Sequence, residues 1–461
     1  MRIRVPRWPL VAAIAAALAG CATYRALPLD SGQGVRRVAD VTVPAASMPV
    51  PDLRASTFDP SDGLDATEVA MLAVANSPQL RIERDKAGVA HAEAYAAGLL
   101  PDPQLSYEHD RPTSDQPDTT DAYTAGLAFD LGNLVTRSAR VHSARAGARE
   151  LDLDLLWSEW QTIAQARTLF DRVYFLRKSV ARLERERAAL APVQEAVTRA
   201  LHAGDLTYDS ASAGLNAASD VATQLADAER QLHHAEQDLH DLLGLDAAVP
   251  LHLTGAPFSI GPDETDVRRA LANMAKRRPD LLALQAGYRA QDEKLRAAIL
   301  AQFPAITVGF VKARDNSDIA SVGFSIGLSL PLFDGNRGNI AIERATRQRL
   351  HDEYSARLLA DRNDVRRLMA DLQSDRTQRA ALANHASELD RARAAAQTNY
   401  AAGRLDWPTY LALRASSLTA DAALLTLERN TRETAIALDA LVGDWPEASL
   451  SVEDQKHFVR R

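Results

Sequence analysis

The sequence contains very little cysteine and few aromatic side chains. It has one Cys in 461 residues, and Phe, Trp and Tyr together make up 5%. A single cysteine excludes a disulfide scaffold and any zinc or redox site built from cysteines. Ala, Leu, Arg, Asp and Glu dominate long stretches, which is typical of extended helices rather than of several compact cores.

Long apolar runs are also scarce, and the only one lies at the N-terminus. Three arginines open the sequence, and apolar residues 10–18 follow them. This order predicts a secretory signal peptide over residues 1–20. No later segment offers about 18 uninterrupted apolar residues, so we expect no transmembrane helix in the exported chain. Any membrane crossing would have to use strands.

The lone cysteine falls at the predicted cleavage site. Leu18-Ala19-Gly20-Cys21 resembles the lipobox of bacterial lipoproteins. That resemblance implies acyl chains on Cys21 and, because neutral Ala22 follows, the outer membrane. The alternative is an ordinary signal peptide with an incidental cysteine.

Basic residues are fewer than acidic ones. The chain has 53 Lys and Arg against 61 Asp and Glu, and removing residues 1–20 removes three arginines and no acid, which changes the net charge from −8 to −11. Nucleic acid is therefore not an expected partner, because binding it needs a basic face. The negative charge is a mild indication of cationic cargo.

The chain repeats itself. Five landmarks recur in the same order at offsets between 199 and 203 residues, which indicates a tandem duplication. The pairs are Ser77-Pro78-Gln79-Leu80 with Arg278-Pro279-Asp280-Leu281, Leu100-Pro101 with Phe303-Pro304, residues 125–129 with 326–330, Ala203-Gly204-Asp205-Leu206 with Ala402-Gly403-Arg404-Leu405, and Leu242-Leu243-Gly244 with Leu441-Val442-Gly443.

The duplication divides the chain into segments. Each repeat reads as a helix, a strand pair, a very long helix, a Gly turn and a shorter helix. The segment before the first repeat contains several prolines, which favours an extended tether. The expected layout is a signal peptide over 1–20, an acylated tether over 21–63, repeats over 64–244 and 265–444, a connection over 245–264, and a C-terminal tail over 445–461.

The long helices are expected over about 137–202 and 339–401, each roughly 100 Å long at 1.5 Å per residue. Helices of that length without an apolar circumference must pack against other helices. Pro192 would kink the first helix, and the second has no equivalent proline.

Four segments read as strands. Residues 123–129 and 321–330 alternate bulky apolar side chains with small or polar ones, and 104–110 and 305–312 are their partners. This alternation favours a barrel wall with lipid outside and water inside. The alternative is a soluble, half-buried sheet. The smallest outer-membrane barrels have about eight strands, so a chain with four would share the wall with other copies.

Two motifs with possible chemistry are weak. Gly323-Phe324-Ser325-Ile326-Gly327 matches the G-x-S-x-G nucleophile pattern, but the strand alternation continues to Leu330 without the required turn. His233, Glu236 and His240 would meet on one helix face as a metal patch, although a solvated polar face is favoured. We expect no catalytic residue, no metal site and no cofactor.

The Gly turns are the better candidates for a functional site. Gly204 and Gly403 end the long helices, where a left-handed residue is needed. Asp406 and Pro408 suit the first turn of the next helix. These turns are hairpin tips, and whether they also bind a partner stays open at this point.

In their duplicated order, these motifs resemble the TolC-type outer-membrane efflux family over about residues 64–444. The motifs are the lipobox, the two x-[SR]-P-x-L openings, Leu99-Leu100-Pro101-Asp102-Pro103-Gln104-Leu105, Leu330-Pro331-Leu332-Phe333-Asp334-Gly335-Asn336-Arg337-Gly338, and the Ala-Gly-x-Leu tips. Residues 98–103 are similar to the CzcC-like heavy-metal cation branch.

The resemblance implies a mainly α chain with a membrane β-barrel portion. Three copies would form a 12-stranded β-barrel, continued by a periplasmic α-helical barrel. Such channels are not enzymes: they conduct passively, an inner-membrane pump drives the substrate, and a periplasmic adaptor meets the helical tips.

The resemblance also assigns candidate site residues. The adaptor-docking tips would be Gly204, Asp205, Leu206, Gly403, Arg404 and Leu405, and the aperture candidates are Arg404 and Asp406. Many members carry pore-facing aspartates after the second tip, whereas this chain has Thr409 and Ala412 there. A different class, a helical scaffold or adaptor lipoprotein tethered through Cys21 without a pore, is the alternative. Adaptors usually carry one helical hairpin, however, and this chain has two.

Overall fold

The structure is a computed structural model that describes residues 24–29, 35, 37–113, 119–257 and 264–442. Cys21 and the expected C-terminal tail over 445–461 lie outside the described residues. The chain divides into two units, residues 1–34 and residues 35–461. In the first unit, residues 24–29 are exposed and have no regular secondary structure.

The second unit contains all the described helices and strands. The helices are α1 (Pro51–Ala55), α2 (Ala66–Asn76), α3 (Pro78–Gly98), α4 (Gly132–Ala203), α5 (Tyr208–Leu243), α6 (Glu264–Arg277), α7 (Pro279–Leu300), α8 (Arg337–Ala401) and α9 (Trp407–Val442). The strands are β1 (Gln104–Asp110), β2 (Ala122–Asp130), β3 (Ala305–Arg314) and β4 (Ala320–Ser329), and short 3-10 turns cover Val38–Asp40 and Ala45–Ser47.

The expected duplication is visible in the helices and strands. α5 and α9 are both 36 residues long, and their bounds differ by 199 residues at each end. α3 and α7 begin at Pro78 and Pro279, where proline fits the first helical turn because no intrahelical partner is needed for its missing N–H. The order of helix, strand pair, long helix, turn and helix therefore occurs twice, as the sequence predicts.

The long helices have 72 residues in α4 and 65 in α8. α4 begins five residues earlier than expected, because Asp130 at the end of β2 accepts a 2.8 Å hydrogen bond from the Gly132 amide and leads directly into the helix. α4 continues through Pro192 to Ala203, and a kink at that proline stays a prediction.

Residues 35–64 pack against the body of the second unit. Met48 and Leu53 are buried, and Val35 and Leu64 form parallel bridges with Leu245 and Leu253. The sequence predicts an extended tether through residue 63. The structure differs because the apolar side chains of this segment are buried in a core that α2, α4 and α5 also build.

The four strands form one antiparallel sheet in the order β1-β2-β3-β4. Its register places Leu105, Leu127, Phe310 and Phe324 in one row across all four strands. The expected strand bounds agree with the observed ones within two residues. In the described parts of the chain, no helix combines the length and the apolar character needed to cross a membrane.

Candidate membrane wall and hairpin tips

One face of the sheet is apolar and exposed, except in the rows next to the loops, which contain Lys312 and Arg314. Across β1 to β4, the row of Leu105, Leu127, Phe310 and Phe324 is 51–80% exposed. The neighbouring row pairs Phe129, Val308 and Ile326 on the same face. Large apolar side chains exposed together over a whole sheet face mark a surface that contacts lipid or protein.

The opposite face carries small and polar side chains, with Val311 as an apolar exception. Its rows contain Ser106, Gly126, Val311 and Gly323, and next to them Gln104, Ala128, Gly309 and Ser325. The Ser325 hydroxyl lies over Gly309, where an added Cβ would be only 2.5 Å from it. β4 continues past Ser325 to Ser329, so the sharp turn that a G-x-S-x-G nucleophile needs is absent from this strand.

The sheet has two edges, β1 and β4, and every residue of both strands is exposed. Within the described residues, each of these strands pairs with only one neighbour. A long edge with unpaired N–H and C=O groups is a template for another strand. The sheet is therefore open to extension on both sides.

The two hairpin tips have the same backbone geometry. Gly204 and Gly403 have φ angles of +82° and +68°, in the left-handed region that the sequence predicts for them. The amide after each glycine donates to the carbonyl five residues earlier, at 2.9 Å in both tips. A Cβ added at either glycine would meet nothing within 4 Å, so the backbone conformation alone restricts these positions.

The other predicted tip residues lie in the same two turns. Asp205 and Arg404 are exposed, and Leu206 and Leu405 are half-buried. Asp406 is exposed just before α9, and its carbonyl accepts a 3.1 Å bond from the Tyr410 amide in the first turn of that helix. The lipid-attachment candidate Cys21 lies outside the described residues.

The hairpins of the two repeats are joined near their tips. The Trp407 indole packs against Gly214 of α5 so closely that an added Cβ there would lie 2.2 Å from the ring. Further along, Arg414 of α9 donates to both carboxylate oxygens of Glu186 on α4, at 2.7 and 2.8 Å, and both side chains are buried. Arg414 also donates to the Tyr410 hydroxyl at 2.6 Å.

More ion pairs follow along the same two helices. They join α4 to α9 through Arg182 and Asp421, Arg172 and Glu433 at 3.6 Å, Asp171 and Arg432 at 3.9 Å, and Arg167 and Asp439 at 3.5 Å. Partners more than 200 residues apart leave no signal in the local spacing.

Burial raises the pKa of four carboxyl groups on α4, among them Asp154 and Asp171. It raises the pKa of Asp154 to about 6, and the charges of Asp280 and Glu83 add to this effect. Burial also raises the pKa of Asp171 to about 6, although Arg432 opposes the shift. Both groups lie far along the helix from the strands.

The possible metal patch on α5 does not form. His240 is buried, and its ring nitrogens lie 2.6 and 2.7 Å from the backbone carbonyls of Glu236 and Val249. Neither nitrogen is therefore free for a metal. Among the residues that the structure describes, no group of three His, Cys, Asp or Glu side chains could hold a metal ion.

Comparisons with known proteins give a family match for part of the chain and a shared fold for most of it. Residues 270–444 match the model of the outer membrane efflux protein family. No curated protein matches the sequence significantly.

Solved structures match nearly the whole chain. A membrane protein from Pseudomonas aeruginosa is similar with a TM-score of 0.73 and 19% identity, covering 94% of this chain and 99% of that one. The Campylobacter jejuni CmeC outer membrane channel has a TM-score of 0.70 and 14% identity, with 95% and 98% covered. CusC, a protein that forms a transmembrane channel, has a TM-score of 0.67 and 18% identity, with 86% and 98% covered. The family match over residues 270–444 and the fold shared with these channels confirm the resemblance of this chain to the TolC-type outer-membrane efflux proteins.

Proposed function

We propose that this chain is the outer-membrane channel component of a tripartite efflux system. In this role it passively conducts small solutes or cations from a periplasmic adaptor and an inner-membrane pump to the exterior. The observation that carries the proposal is the two-faced sheet. Its four strands present an apolar row such as Leu105, Leu127, Phe310 and Phe324 on one side and small or polar residues on the other.

The open edges of this sheet support the homotrimer that the resemblance implies. A wall of four strands is too small to close, and outer-membrane barrels need about eight or more. Three copies joined from β4 of one to β1 of the next would give twelve strands. The apolar face would contact lipid, and Ser106, Gly126 and Gly323 would line the lumen.

The helices would continue this conduit into the periplasm. At 1.5 Å per residue, the 72 residues of α4 and the 65 of α8 extend for about 100 Å. The tips at Gly204–Leu206 and Gly403–Leu405 would bind the adaptor, with Arg404 and Asp406 near the aperture. The exposure of Gly204, Asp205, Gly403 and Arg404 and the similar geometry of the two turns support this assignment.

The remaining assignments of the proposal concern the ends of the chain. Residues 1–20 would be the lipoprotein signal peptide, and the acyl chains on Cys21 would add a lipid anchor in the outer membrane. Residues 64–244 and 265–444 would be the two repeats of one channel subunit. No catalytic step is assigned to any of them.

Membrane extraction of a Cys21→Ser variant tests this function against the alternative of a tethered periplasmic scaffold without a pore. A channel inserted through its strands stays in the membrane at high pH and high salt without its acyl chains, and only detergent releases it. Release of the variant into the soluble fraction, with wild type retained, would establish the scaffold and exclude the channel. An unrelated outer-membrane lipoprotein with the same substitution is the control for complete release.

A further inference from the structure

All the basic residues of the four strands lie on the apolar face of the sheet. They are His109 in β1 and Lys312 and Arg314 in β3. Lys312 pairs with Ala125 of β2, and Arg314 pairs with Tyr123 in the next row, which also contains His109. These two rows are the ones next to the loops. The basic residues are therefore confined to one end of one face.

The acidic residues of the strands lie on the opposite face. Glu108 and Asp110 flank His109 along β1, and Asp130 ends β2 beside Thr307. Successive side chains of a strand point to opposite faces of its sheet. The carboxylates of the strands are therefore separated by the sheet from its basic residues.

Toward the helices, the apolar face is uncharged. Its rows there hold Leu105, Leu127, Phe310, Phe324, Phe129, Val308, Ile326, Ile306 and Leu328. In the proposed channel the helices extend into the periplasm, so the loops lie outside the cell and the basic rows lie at the level of the outer headgroups. A basic side chain on the lipid face is costly at the bilayer midplane and is tolerated near the interface.

Lys312 carries the charge that the rest of this surface does not neutralise. Its side chain is exposed between Ala125 and Val322, and within the described residues its ammonium has no ion-pair partner. The apolar stem of a lysine can lie along an apolar wall while its ammonium reaches the interface. The ammonium of Lys312 is therefore available to an anion outside the sheet.

The acidic residues nearest this surface belong to the loops and are already bound. Arg314 forms an ion pair with Asp318, and His109 lies 3.4 Å from Asp121. The carboxylate of Asp315 accepts hydrogen bonds from two backbone amides of its own turn. A guanidinium has five N–H donors, so Arg314 can bind Asp318 and a further acceptor together.

Two tyrosines lie in the same rows as the basic residues. Tyr107 is 68% exposed in the row of Lys312, and Tyr123 is half-buried beside Arg314. Only Ala125 lies between Tyr107 and Lys312, so these two side chains start about 10 Å apart, two strand spacings, across a shallow gap. Tyrosine is enriched where a membrane protein meets the headgroups, since its ring is apolar and its hydroxyl is polar.

We propose that Lys312 and Arg314, flanked by Tyr107 and Tyr123, bind the phosphate groups of outer-leaflet lipid. Ammonium and guanidinium groups are the usual phosphate ligands of proteins. The acyl chains of the same lipid would lie on the apolar rows below, which continue the surface without a break. The inference rests on the proposed function, because only an inserted sheet has lipid on this face.

Lipid binding to the full-length protein purified in detergent tests this surface. The probe is bisphosphorylated lipid A, a phosphorylated glycolipid of bacterial outer membranes, and native mass spectrometry measures its dissociation constant. Lys312→Gln together with Arg314→Gln should weaken binding by about tenfold, the loss expected for a charge-assisted hydrogen bond. Lys312→Arg should retain the binding, because the charge remains. The matched control, Arg366→Gln, removes a charge from an exposed position on α8 and should bind like wild type.

Two further ligands separate the contributions of phosphate and lipid. Dephosphorylated lipid A should bind wild type and the double variant equally weakly. Inorganic phosphate at the same concentration should not displace lipid A, because it has no acyl chains to lie on the apolar rows.

The surface would be overturned by equal lipid A binding in wild type and the double variant, by an equal loss in Arg366→Gln, or by displacement with inorganic phosphate. Any of these results in a protein that stays in the membrane at high pH and conducts would leave the proposed channel intact. Release of the wild type from the membrane at high pH would overturn the channel and the lipid surface together.

Discussion

The guanidinium of Arg414 and the carboxylate of Glu186 form a buried, two-pronged ion pair between α9 and α4. The two hydrogen bonds measure 2.7 and 2.8 Å, and the partners are 228 residues apart in the sequence. Removing one partner of a buried pair leaves an uncompensated charge, which typically costs about 3–5 kcal/mol. We therefore expect Glu186→Gln to lower the free energy of unfolding by about that amount, as measured by urea denaturation.

The double variant Glu186→Leu with Arg414→Leu is the matched control. It removes both charges, and apolar residues in place of a buried ion pair are often neutral or stabilising. The double variant should therefore be more stable than Glu186→Gln alone. Additive losses in the two single leucine variants and the double variant would show that the pair is not coupled.

The apolar face of the sheet gives a second prediction. Phe324 is 68% exposed on that face, and its neighbour Gly323 points to the other, where an added Cβ meets nothing within 4 Å. A lysine facing lipid near the bilayer centre costs about 2–4 kcal/mol. Phe324→Lys should therefore reduce the amount of folded protein in outer-membrane fractions, and Gly323→Lys should not. Equal loss in both variants would contradict the assignment of the faces.

The tip glycines give a third prediction. At φ angles of +82° and +68°, Gly204 and Gly403 tolerate a β-branched side chain poorly, with a local cost of about 1–2 kcal/mol. Gly204→Val or Gly403→Val should block export in a cellular efflux assay while leaving trimer assembly largely intact. Asn at the same positions is the control, because it accepts the left-handed conformation. Normal export by both valine variants would remove the tips from the proposed mechanism.

The pH dependence of stability gives a fourth prediction. Burial raises the pKa of Asp154 to about 6. A carboxyl whose pKa is raised by folding stabilises the fold at low pH, and this contribution is lost as pH rises from about 4 through 6. Asp154→Asn should therefore gain stability relative to wild type between pH 4.5 and 7.5, by ~1 kcal/mol after allowance for partial exposure.

The measurement is thermal unfolding of both proteins across that pH range. Asp220→Asn, at an exposed position on α5, removes the same charge and should give no such trend. A difference between Asp154→Asn and wild type that does not change with pH would contradict the raised pKa.

Much of the fold was predictable because its signals are local. Each strand is marked by alternating bulky apolar and small or polar side chains. The observed bounds of β1 therefore agree with the expected 104–110, and those of β4 differ from the expected 321–330 by one residue. A glycine that must adopt a positive φ marks each tip, so α4 ends at Ala203 and α8 at Ala401 as expected within one residue. Each of these signals occurs twice, so the duplication predicts the same order of helices and strands in both halves of the chain.

The unpredicted features depend on helix–helix register, which a single sequence does not encode locally. Arg278 is 1% exposed and contacts Asp280 at 2.6 Å and Asp361 at 3.3 Å. The sequence shows only that Arg278 takes the place of Ser77 before the repeated proline. The sequence analysis also missed the packing of residues 35–64. A segment with several prolines and no helical periodicity resembles a tether, although Met48 and Leu53 of this segment are buried.

The central claim is that three copies of this chain form a conducting channel. Planar-bilayer recording of the purified wild type and the Cys21→Ser variant, with chemical cross-linking to count subunits, tests it most directly. We expect discrete, cation-preferring single-channel openings from a trimer in both proteins. A silent monomer that leaves the membrane when Cys21 is replaced would contradict the claim and show that the strands do not form a pore.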